Sequence, residues 1–322
     1  MRNRKVLSLS LIALSALFLS QSPVVLAADA APVSTAADAE ESKKDIEKLL
    51  TNFEHDWNTH NLDTVMNYYA DDYVNNDGFD KKAIQQLTSD LWKAYPDIKS
   101  SSIVKQVRVE GPYATVQSRD EATGNTADEM AGLGTKGELK SLSEGQLYLK
   151  KVGARWRIIG DRIDYEKIRV SYGLARQLEP TFSAPEQVRS GKQYSARLEV
   201  ELPTGLAATG SISQSTVIYP LPKKPIDKFK QIGDPITEHP LLERVMTANN
   251  KNRNELLMAS IALTNASGNS IMGYVMLTRR LNVIPAMEDE APKPDTTASA
   301  EQPPAGDAHP ASEHEQPSGT SR

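Results

Sequence analysis

The apolar residues of this chain change their period near residue 100, and that change limits the fold more than any other feature. Upstream of it, Ile46, Leu49, Phe53 and Trp57 recur at helical spacing and form one apolar stripe. Downstream of it, residues 103–109 alternate with a period of two, as strands do. Helices followed by a run of strands predict an α+β domain in which the helices pack on an antiparallel sheet.

Capping and turn residues divide the helical part into three segments. Asn61 is a suitable N-cap for a second helix, and the turn residues 75–78 close that helix. Asp80 opens a third helix, which Pro96 ends. The sequence therefore predicts a helix hairpin followed by one further helix before the first strand.

The strand part begins with segments at 103–109 and 113–120. Residues 121–140 are polar and contain glycine, so we expect a long connection there. Two later strands, 142–152 and 155–163, are joined by the tight turn Gly153-Ala154. A sheet built this way is expected to wrap the first helix and to leave a pocket between the two.

Three short runs carry a resemblance to a known family. They are Trp57-x-x-His60-Asn61-Leu62-Asp63, Tyr69-Ala70-Asp71-Asp72-Tyr73, and Gly78 followed by a helix that carries Ile84. Over residues 44–165 the chain resembles the nuclear transport factor 2-like superfamily, which includes SnoaL-like cyclases and ketosteroid isomerase. The resemblance implies a cone-shaped domain of three helices on a curved antiparallel sheet, at residues 43–172. It implies no single function, because this scaffold hosts many.

The predicted pocket gives the candidate binding residues. Aromatic side chains of the first helix would face the sheet, and polar side chains of the sheet would enter the cavity. The same aromatic residues are equally typical of a packed core. The predicted ligand-pocket residues are Phe53, Trp57, Tyr73, Asp77, Arg119, Gln146 and Tyr148.

Asp77 and His60 are the candidate catalytic residues. The resemblance places Asp77 where the isomerase has its catalytic aspartate, and His60 is a second candidate for a general base. The positions that match the two oxyanion donors of that enzyme hold Phe53 and a residue near Leu142, so both donors are missing. An enzyme of isomerase, cyclase or hydrolase type is therefore the alternative hypothesis and not the first.

No metal or cofactor site is predicted. His55 and His60 lie five positions apart and do not share a helix face, and the chain has no cysteine to supply thiolate ligands or disulfides. The run from Gly132 to Gly137 matches the dinucleotide fingerprint literally. It lies between antiparallel strands, however, and not between a buried parallel strand and a helix.

The second half of the chain has the pattern of an all-β domain. A linker at 173–182 precedes strand patterns over 183–286, which predict a small β-sandwich that offers surface to an envelope or protein partner. A proline-rich crossing at 220–251 contains four lysines that are either solvated surface or a contact for anionic envelope material. They are Lys223, Lys224, Lys228 and Lys230.

The N-terminal sequence and the composition indicate the cellular location of the protein and its class of partner. A basic start, an apolar run and small residues near Ala27 predict a signal peptide at 1–27, hence a periplasmic or secreted protein. A flexible spacer at 28–42 and a disordered tail at 287–322 complete the organisation. The net charge of −5 argues against nucleic acid as a partner.

Three functions are compatible with these patterns. The first is an exported, non-catalytic binding protein that holds a small apolar ligand or engages a protein partner. The second is a SnoaL-like enzyme that uses Asp77 or His60 as its base, and the third is a structural envelope protein whose pocket its own side chains fill. The resemblance also makes a homodimer an expectation.

Overall fold

The computed structural model describes residues 36–217, 228–232 and 241–286. The described part contains three α-helices: α1 (Ala36–Asn58), α2 (Leu62–Met66) and α3 (Lys81–Ala94). A 3₁₀ helix spans Leu174–Gln177. The predicted signal peptide and the predicted tail lie outside the described residues, as do Lys223 and Lys224. Of the predicted spacer, residues 36–42 belong to α1.

The described part also contains twelve strands, and more than half of its residues lie in them. The strands are β1 (Lys99–Glu110), β2 (Tyr113–Met130), β3 (Thr135–Val152), β4 (Arg155–Gly173), β5 (Thr181–Ser183), β6 (Gln187–Arg189), β7 (Gln193–Glu199), β8 (Leu206–Thr216), β9 (Lys230–Gln231), β10 (Leu241–Thr247), β11 (Glu255–Asn265) and β12 (Ile271–Ile284).

One large sheet runs through both halves of the chain. Its strand order is β1-β2-β3-β4-β12-β11-β8-β9, and β6 pairs in parallel with β12 as the ninth strand. The halves join where β12 pairs antiparallel with β4, from Gly273 opposite Gly173 to Arg279 opposite Lys167. A second sheet of three strands has the order β10-β7-β5.

The predicted fold class is therefore wrong. A cone of three helices on its own curved sheet, followed by a separate small sandwich, is not what forms, because the strands of both halves share one sheet and the protein is mainly β. The physical reason is the pairing of β4 with β12, which joins segments about a hundred residues apart. Alternation within a segment identifies a strand but does not identify its partner. The predicted domain boundaries stay a prediction.

Local signals place several element ends correctly. Asn61 caps α2 by accepting a hydrogen bond from the Thr64 amide at 3.2 Å, and Asp80 caps α3 through the Ala83 amide at 2.7 Å. The turn at Gly153 and Ala154 joins β3 to β4, as predicted. In each case a few neighbouring residues determine the structure.

The prediction of a long connection at residues 121–140 is wrong. β2 continues to Met130 and β3 starts at Thr135, so a four-residue turn replaces the loop. Much of the extended hairpin is half-buried or exposed, so polar residues are tolerated on both of its faces. The apolar alternation that identifies a strand in the sequence is therefore weak. The glycines of the fingerprint-like run lie at this turn, with Gly132 at φ +88° and Gly134 at φ +60°.

Strands β11 and β12 form the centre of the molecule because both of their faces are buried. One face packs on the three-stranded sheet, where Leu198 of β7 belongs to the same cluster as Ile261 and Leu277. The other face packs towards the helices, where Val65 and Trp92 share a cluster with core residues of the central strands, Leu256, Met258 and Met276. The helices and the C-terminal half therefore depend on the same core.

Candidate functional site

The structure separates six of the seven predicted pocket residues into two groups. Val116 and Leu149 face the core under α1. Because side chains alternate along a strand, Arg119, Gln146 and Tyr148 lie on the opposite face of the sheet. Arg119 is paired there with Glu121 and Glu144. Phe53, Trp57 and Tyr73 lie on the helix side, so the structure does not bring these two groups into one pocket.

Phe53 and Trp57 pack as core aromatics. The Phe53 ring meets Tyr68 and Tyr69 edge-on, with centroids 5.5 and 6.0 Å apart. The Trp57 ring lies 5.8 Å from that of Trp92. Such T-shaped contacts stabilise a core beyond the area they bury.

His60 fixes the corner between α1 and α2. Its backbone has φ +58°, a left-handed conformation that favours short polar or glycine residues. Its ring stacks on Trp92 with centroids 4.7 Å apart, and its Nε2 lies 3.3 Å from the carbonyl oxygen of Ile98. This candidate base is therefore engaged in holding the helices next to the start of β1.

Asp77 is engaged in a buried ion pair with Arg280. Two nitrogens of the Arg280 guanidinium donate to the carboxylate at 2.6 and 3.0 Å, and the Asn254 amide donates to it at 3.0 Å. The side chains of Asp77 and Arg280 are 8% and 1% exposed. The Asp77 carboxylate therefore serves the contact with Arg280 and Asn254, and a substrate proton would have to compete with these three donors.

Asp161 lies beside this ion pair and is bonded to the remaining pocket candidate, Tyr73. The Tyr73 hydroxyl donates to the Asp161 carboxylate, and Tyr73 is 1% exposed. Burial raises the pKa of Asp161, as does the nearby charge of Asp77, whereas the Tyr73 hydrogen bond and the Arg280 charge oppose the rise. Burial and Asp161 together raise the pKa of the Tyr73 hydroxyl. We call Tyr73, Asp77, Asp161 and Arg280 the junction cluster.

The junction cluster lies where the edge of β4 changes its partner. Residues 68–76 cover the first part of that edge, with the Ala70 amide bonded to the Ile158 carbonyl at 2.8 Å and the Asn76 amide bonded to the Asp161 carbonyl at 2.9 Å. β12 covers the second part from Lys167 onwards. Asp77 therefore lies at the point where the N-terminal and C-terminal halves meet.

An open cleft of about 610 Å³ lies on the outer side of α1. It is bounded by α1, by the end of α2 and by the turn between β3 and β4. The residues that decide its chemistry are Asp45, Lys48, Leu49, Tyr68, Arg155, Trp156 and Arg157.

Two walls of the cleft are held in place. The Tyr68 hydroxyl donates to the Asp56 carboxylate at 2.6 Å, and burial together with that carboxylate raises the pKa of Tyr68 to about 12. The Arg157 guanidinium donates to the Asn67 carbonyl oxygen that follows α2. Lys48 and Arg155 are exposed, and no described residue forms an ion pair or hydrogen bond with either side chain. The cleft thus presents a fixed tyrosine, one fixed cation and two adaptable cations to solvent.

Sequence reasoning missed Asp161, Arg280 and the residues of the cleft. Arg279 and Arg280 offered a signal, because two adjacent arginines inside an otherwise apolar strand require that one of them face the interior. A buried arginine requires a carboxylate partner. The cleft gave no signal, since its cations come from a helix and a turn that are distant in sequence.

Among the described residues, no group of three metal-ligating side chains forms a site. No helix in the described ranges is long and apolar enough to cross a membrane. Of the predicted lysine patch, Lys228 and Lys230 are described. They line a small pocket of about 40 Å³ together with Ser211 and Arg244.

No protein-family model and no curated protein matches this chain. Solved structures similar to it include nuclear transport factor 2-like proteins. A putative dehydratase of that family from Streptomyces avermitilis is 11% identical, with 38% of this chain and 96% of that one covered and a TM-score of 0.31. A putative scytalone dehydratase from Novosphingobium aromaticivorans is 14% identical, with 38% and 83% covered and a TM-score of 0.32.

Bd1075 of Bdellovibrio bacteriovorus is 13% identical, with a TM-score of 0.32. That match covers 40% of this chain and 42% of Bd1075. The neighbours match the resemblance inferred from the sequence over about 40% of the chain. All three TM-scores are below 0.5, so the function of this protein has to be argued from its own side chains.

Proposed function

We propose that this chain is an exported binding protein and that its ligand occupies the cleft between α1, α2 and the turn joining β3 to β4. The observation that carries the proposal is the cleft itself, whose volume of about 610 Å³ is typical of small-molecule sites. Its cations are available to a ligand, whereas the two candidate bases, His60 and Asp77, are each held by structural bonds. These observations favour ligand binding by the cleft.

A substitution that fills the cleft tests this proposal. Asn52 is exposed on the α1 wall, so Asn52→Trp places a large ring in the cleft without disturbing the core. Gln85→Trp on α3 is a matched control at an exposed helical position outside the cleft. Small molecules released by denaturing each purified protein are identified by mass spectrometry.

The expected result is a released compound from the wild-type protein and from Gln85→Trp that is lost from Asn52→Trp. Equal release from all three proteins would remove the cleft as the binding site. No released compound from the wild-type protein would overturn the binding function and favour the structural hypothesis.

Export is supported by the N-terminal sequence alone, with its basic start, apolar run and small residues near Ala27. Cell fractionation with N-terminal sequencing is the test. A mature chain that begins near Ala28 and is found outside the cytoplasm is the expected result. A chain that retains Met1 and stays in the cytoplasm would refute export.

A SnoaL-like enzyme is the second candidate, and the junction cluster is the observation that favours it. A half-buried carboxyl with a raised pKa, bonded to a tyrosine hydroxyl, is a common feature of catalytic sites. The names of the neighbouring structures, which include dehydratases, agree with an enzyme without carrying the argument.

The enzyme hypothesis is tested with an epoxide and with hexachlorocyclohexane as probes, because further solved neighbours are named an LEH-like epoxide hydrolase and a hexachlorocyclohexane dehydrochlorinase. Diol formation and chloride release are measured. Turnover that is abolished in Asp161→Asn, while the variant stays folded by circular dichroism, would establish this function. Turnover that survives in Asp161→Asn would exclude Asp161 from the reaction. The absence of turnover in the wild-type protein would leave binding as the function for these substrate classes.

A further inference from the structure

The charge of the cleft is opposite to the charge of the whole protein. The chain has a formal net charge of −5, yet the cleft is lined by Lys48, Arg155 and Arg157 against one carboxylate, Asp45. A concentration of one charge sign in a concave site attracts ligands of the other sign and raises their rate of association. The field of the cleft therefore favours an anion.

The three cations differ in how they are held, and the difference suits anion binding. Arg157 is anchored through the Asn67 carbonyl oxygen, so its planar guanidinium is fixed before a ligand arrives. Lys48 and Arg155 keep their full donor capacity, because no described residue bonds to their side chains. A fixed arginine and two adaptable cations that line the same cleft can hold a carboxylate by charge-assisted hydrogen bonds.

Part of the remaining surface of the cleft is apolar and rigid, beside the polar residues Asn52, Thr64 and Asn67. The Tyr68 ring packs edge-on against Phe53, and its hydroxyl is held by Asp56, so the ring cannot turn away. Leu49 of α1 and Trp156 of β4 complete this surface. A ligand that combines an acidic group with an apolar or aromatic body would use both parts of the cleft.

We propose that the ligand of this cleft is an organic acid, with its carboxylate held by Lys48, Arg155 and Arg157 and its apolar body lying on Leu49 and Tyr68. The proposal rests on the proposed function and adds the chemical class of the ligand. An acid with a flat ring system fits best, because one wall of the cleft is the ring of Tyr68.

The test compares two probes of the same shape and different charge, naphthalene-2-carboxylate and the neutral alcohol 2-naphthalenemethanol. Their affinities are measured by isothermal titration calorimetry for the full mature chain. The wild-type protein is expected to bind the carboxylate at least about tenfold more tightly, since one charge-assisted contact accounts for a factor of that order. Equal affinity for the two probes would overturn the proposal.

A pair of matched double variants tests the assigned cations. Lys48→Gln with Arg155→Gln removes two cations from the cleft, and Lys82→Gln with Lys167→Gln removes two exposed cations from α3 and β4. The first pair is expected to lower carboxylate affinity by about tenfold or more and to weaken its salt dependence. An equal loss in the second pair would show that only net charge matters and would overturn the assignment.

The outcomes separate this proposal from the one on which it rests. If Asn52→Trp loses the probe while the Lys48/Arg155 double variant retains it, the cleft is the binding site but the ligand is not recognised by its charge. If Asn52→Trp retains the probe, the cleft itself is refuted. Binding of inorganic phosphate as tightly as of naphthalene-2-carboxylate would refute a role for the apolar wall.

Discussion

Asp77 and Arg280 form a buried ion pair across 203 positions of sequence, and the pair stabilises the contact between the two halves of the chain. Asp77→Asn keeps the shape of the side chain but removes its charge, which takes the bidentate carboxylate away from the Arg280 guanidinium at 1% exposure. Breaking a buried pair from one side typically costs about 3–5 kcal/mol. We expect a loss of that size in the free energy of unfolding by urea.

Asp72→Asn is the matched control for this prediction, because Asp72 is exposed on the same segment and makes no bond to a described residue. Its unfolding midpoint should stay within the error of the wild-type value. Equal midpoints for Asp77→Asn and Asp72→Asn would show that the pair contributes no net stability.

Asp161 should give the protein an unusual dependence on pH. Its pKa in the folded chain is raised by burial above the usual value of 3.8, so the folded state binds this proton more tightly than the unfolded state does. The stability that depends on Asp161 is therefore complete below about pH 4. It is lost as the pH rises through the folded pKa. The groups facing Asp161 are Tyr69, Tyr73, Asp77 and Arg280.

Comparison with Asp161→Asn isolates this contribution, because the other titrating groups are common to both proteins. The stability of the wild type minus that of the variant should fall with rising pH above about 4. For Asp71→Asn, the stability of the wild type minus that of the variant should instead rise with pH, since the hydrogen bond and charge of Lys81 lower the pKa of Asp71. Urea unfolding from about pH 2.5 to pH 8 measures both differences, since the Asp71 contribution changes below about pH 4 and the Asp161 contribution above it. A flat difference for Asp161→Asn would contradict this account.

At the scale of elements, α1 protects the exposed edge of the large sheet. The Asn58 side chain accepts from the Ser100 amide and donates to the Ser100 carbonyl oxygen, both at 2.7 Å, as a neighbouring strand would. The Glu54 carboxylate accepts from the Ser102 amide at 2.9 Å. Unpaired edge strands promote association between molecules, so these contacts keep the start of β1 from pairing elsewhere.

Replacing both groups, Glu54→Ala with Asn58→Ala, should release this edge. The loss of about three partly exposed hydrogen bonds is expected to lower the free energy of unfolding by roughly 1–3 kcal/mol. It should also speed hydrogen exchange at the Ser100 and Ser102 amides. Light scattering should also rise with protein concentration. His55→Ala on the exposed side of α1 is the control. Unchanged exchange at these two amides in the double variant would refute the capping role.

The elements also show what the sequence could and could not predict. Asn61, Asp80 and the Gly153-Ala154 turn act over four residues or fewer, and the structure confirms each of them. The extent of β2 and β3 was missed, because a polar hairpin has no apolar alternation to reveal it. Strand register decides which face of the sheet holds Arg119, Gln146 and Tyr148, and alternation alone does not fix that register.

The whole molecule depends on one long-range pairing that no local signal specifies. β12 pairs with β4 along one edge and buries one of its faces in the helix-side core. Met276 therefore packs in one cluster with Trp92. The junction cluster likewise combines residues that local sequence indicates with residues that only the long-range pairing brings together. Tyr73 and Asp77 could be singled out from the sequence, but their partners Asp161 and Arg280 become apparent only when the halves are assembled.

This dependence makes a definite prediction for the predicted domain boundary at residues 173–182. A chain of residues 36–182 would lose β12 from the edge of β4 and would expose the side of Ile168 and Val170 that packs with Met258 and Met276. Burial of core side chains of this size contributes about 1.5–3 kcal/mol each, and a domain's net stability is only about 5–15 kcal/mol. We therefore expect this shorter chain not to fold alone.

Thermal unfolding followed by circular dichroism tests the prediction, with a chain of residues 36–286 as the reference. The longer chain should melt in one cooperative transition, because its central strands belong to two of the three cores, and Phe53, Tyr69 and Ile84 join the third core to them. The shorter chain should show no cooperative transition and should bind a dye for exposed apolar surface. A cooperative melt of residues 36–182 would instead mean that the first half is an independent domain whose sheet only later gained β12.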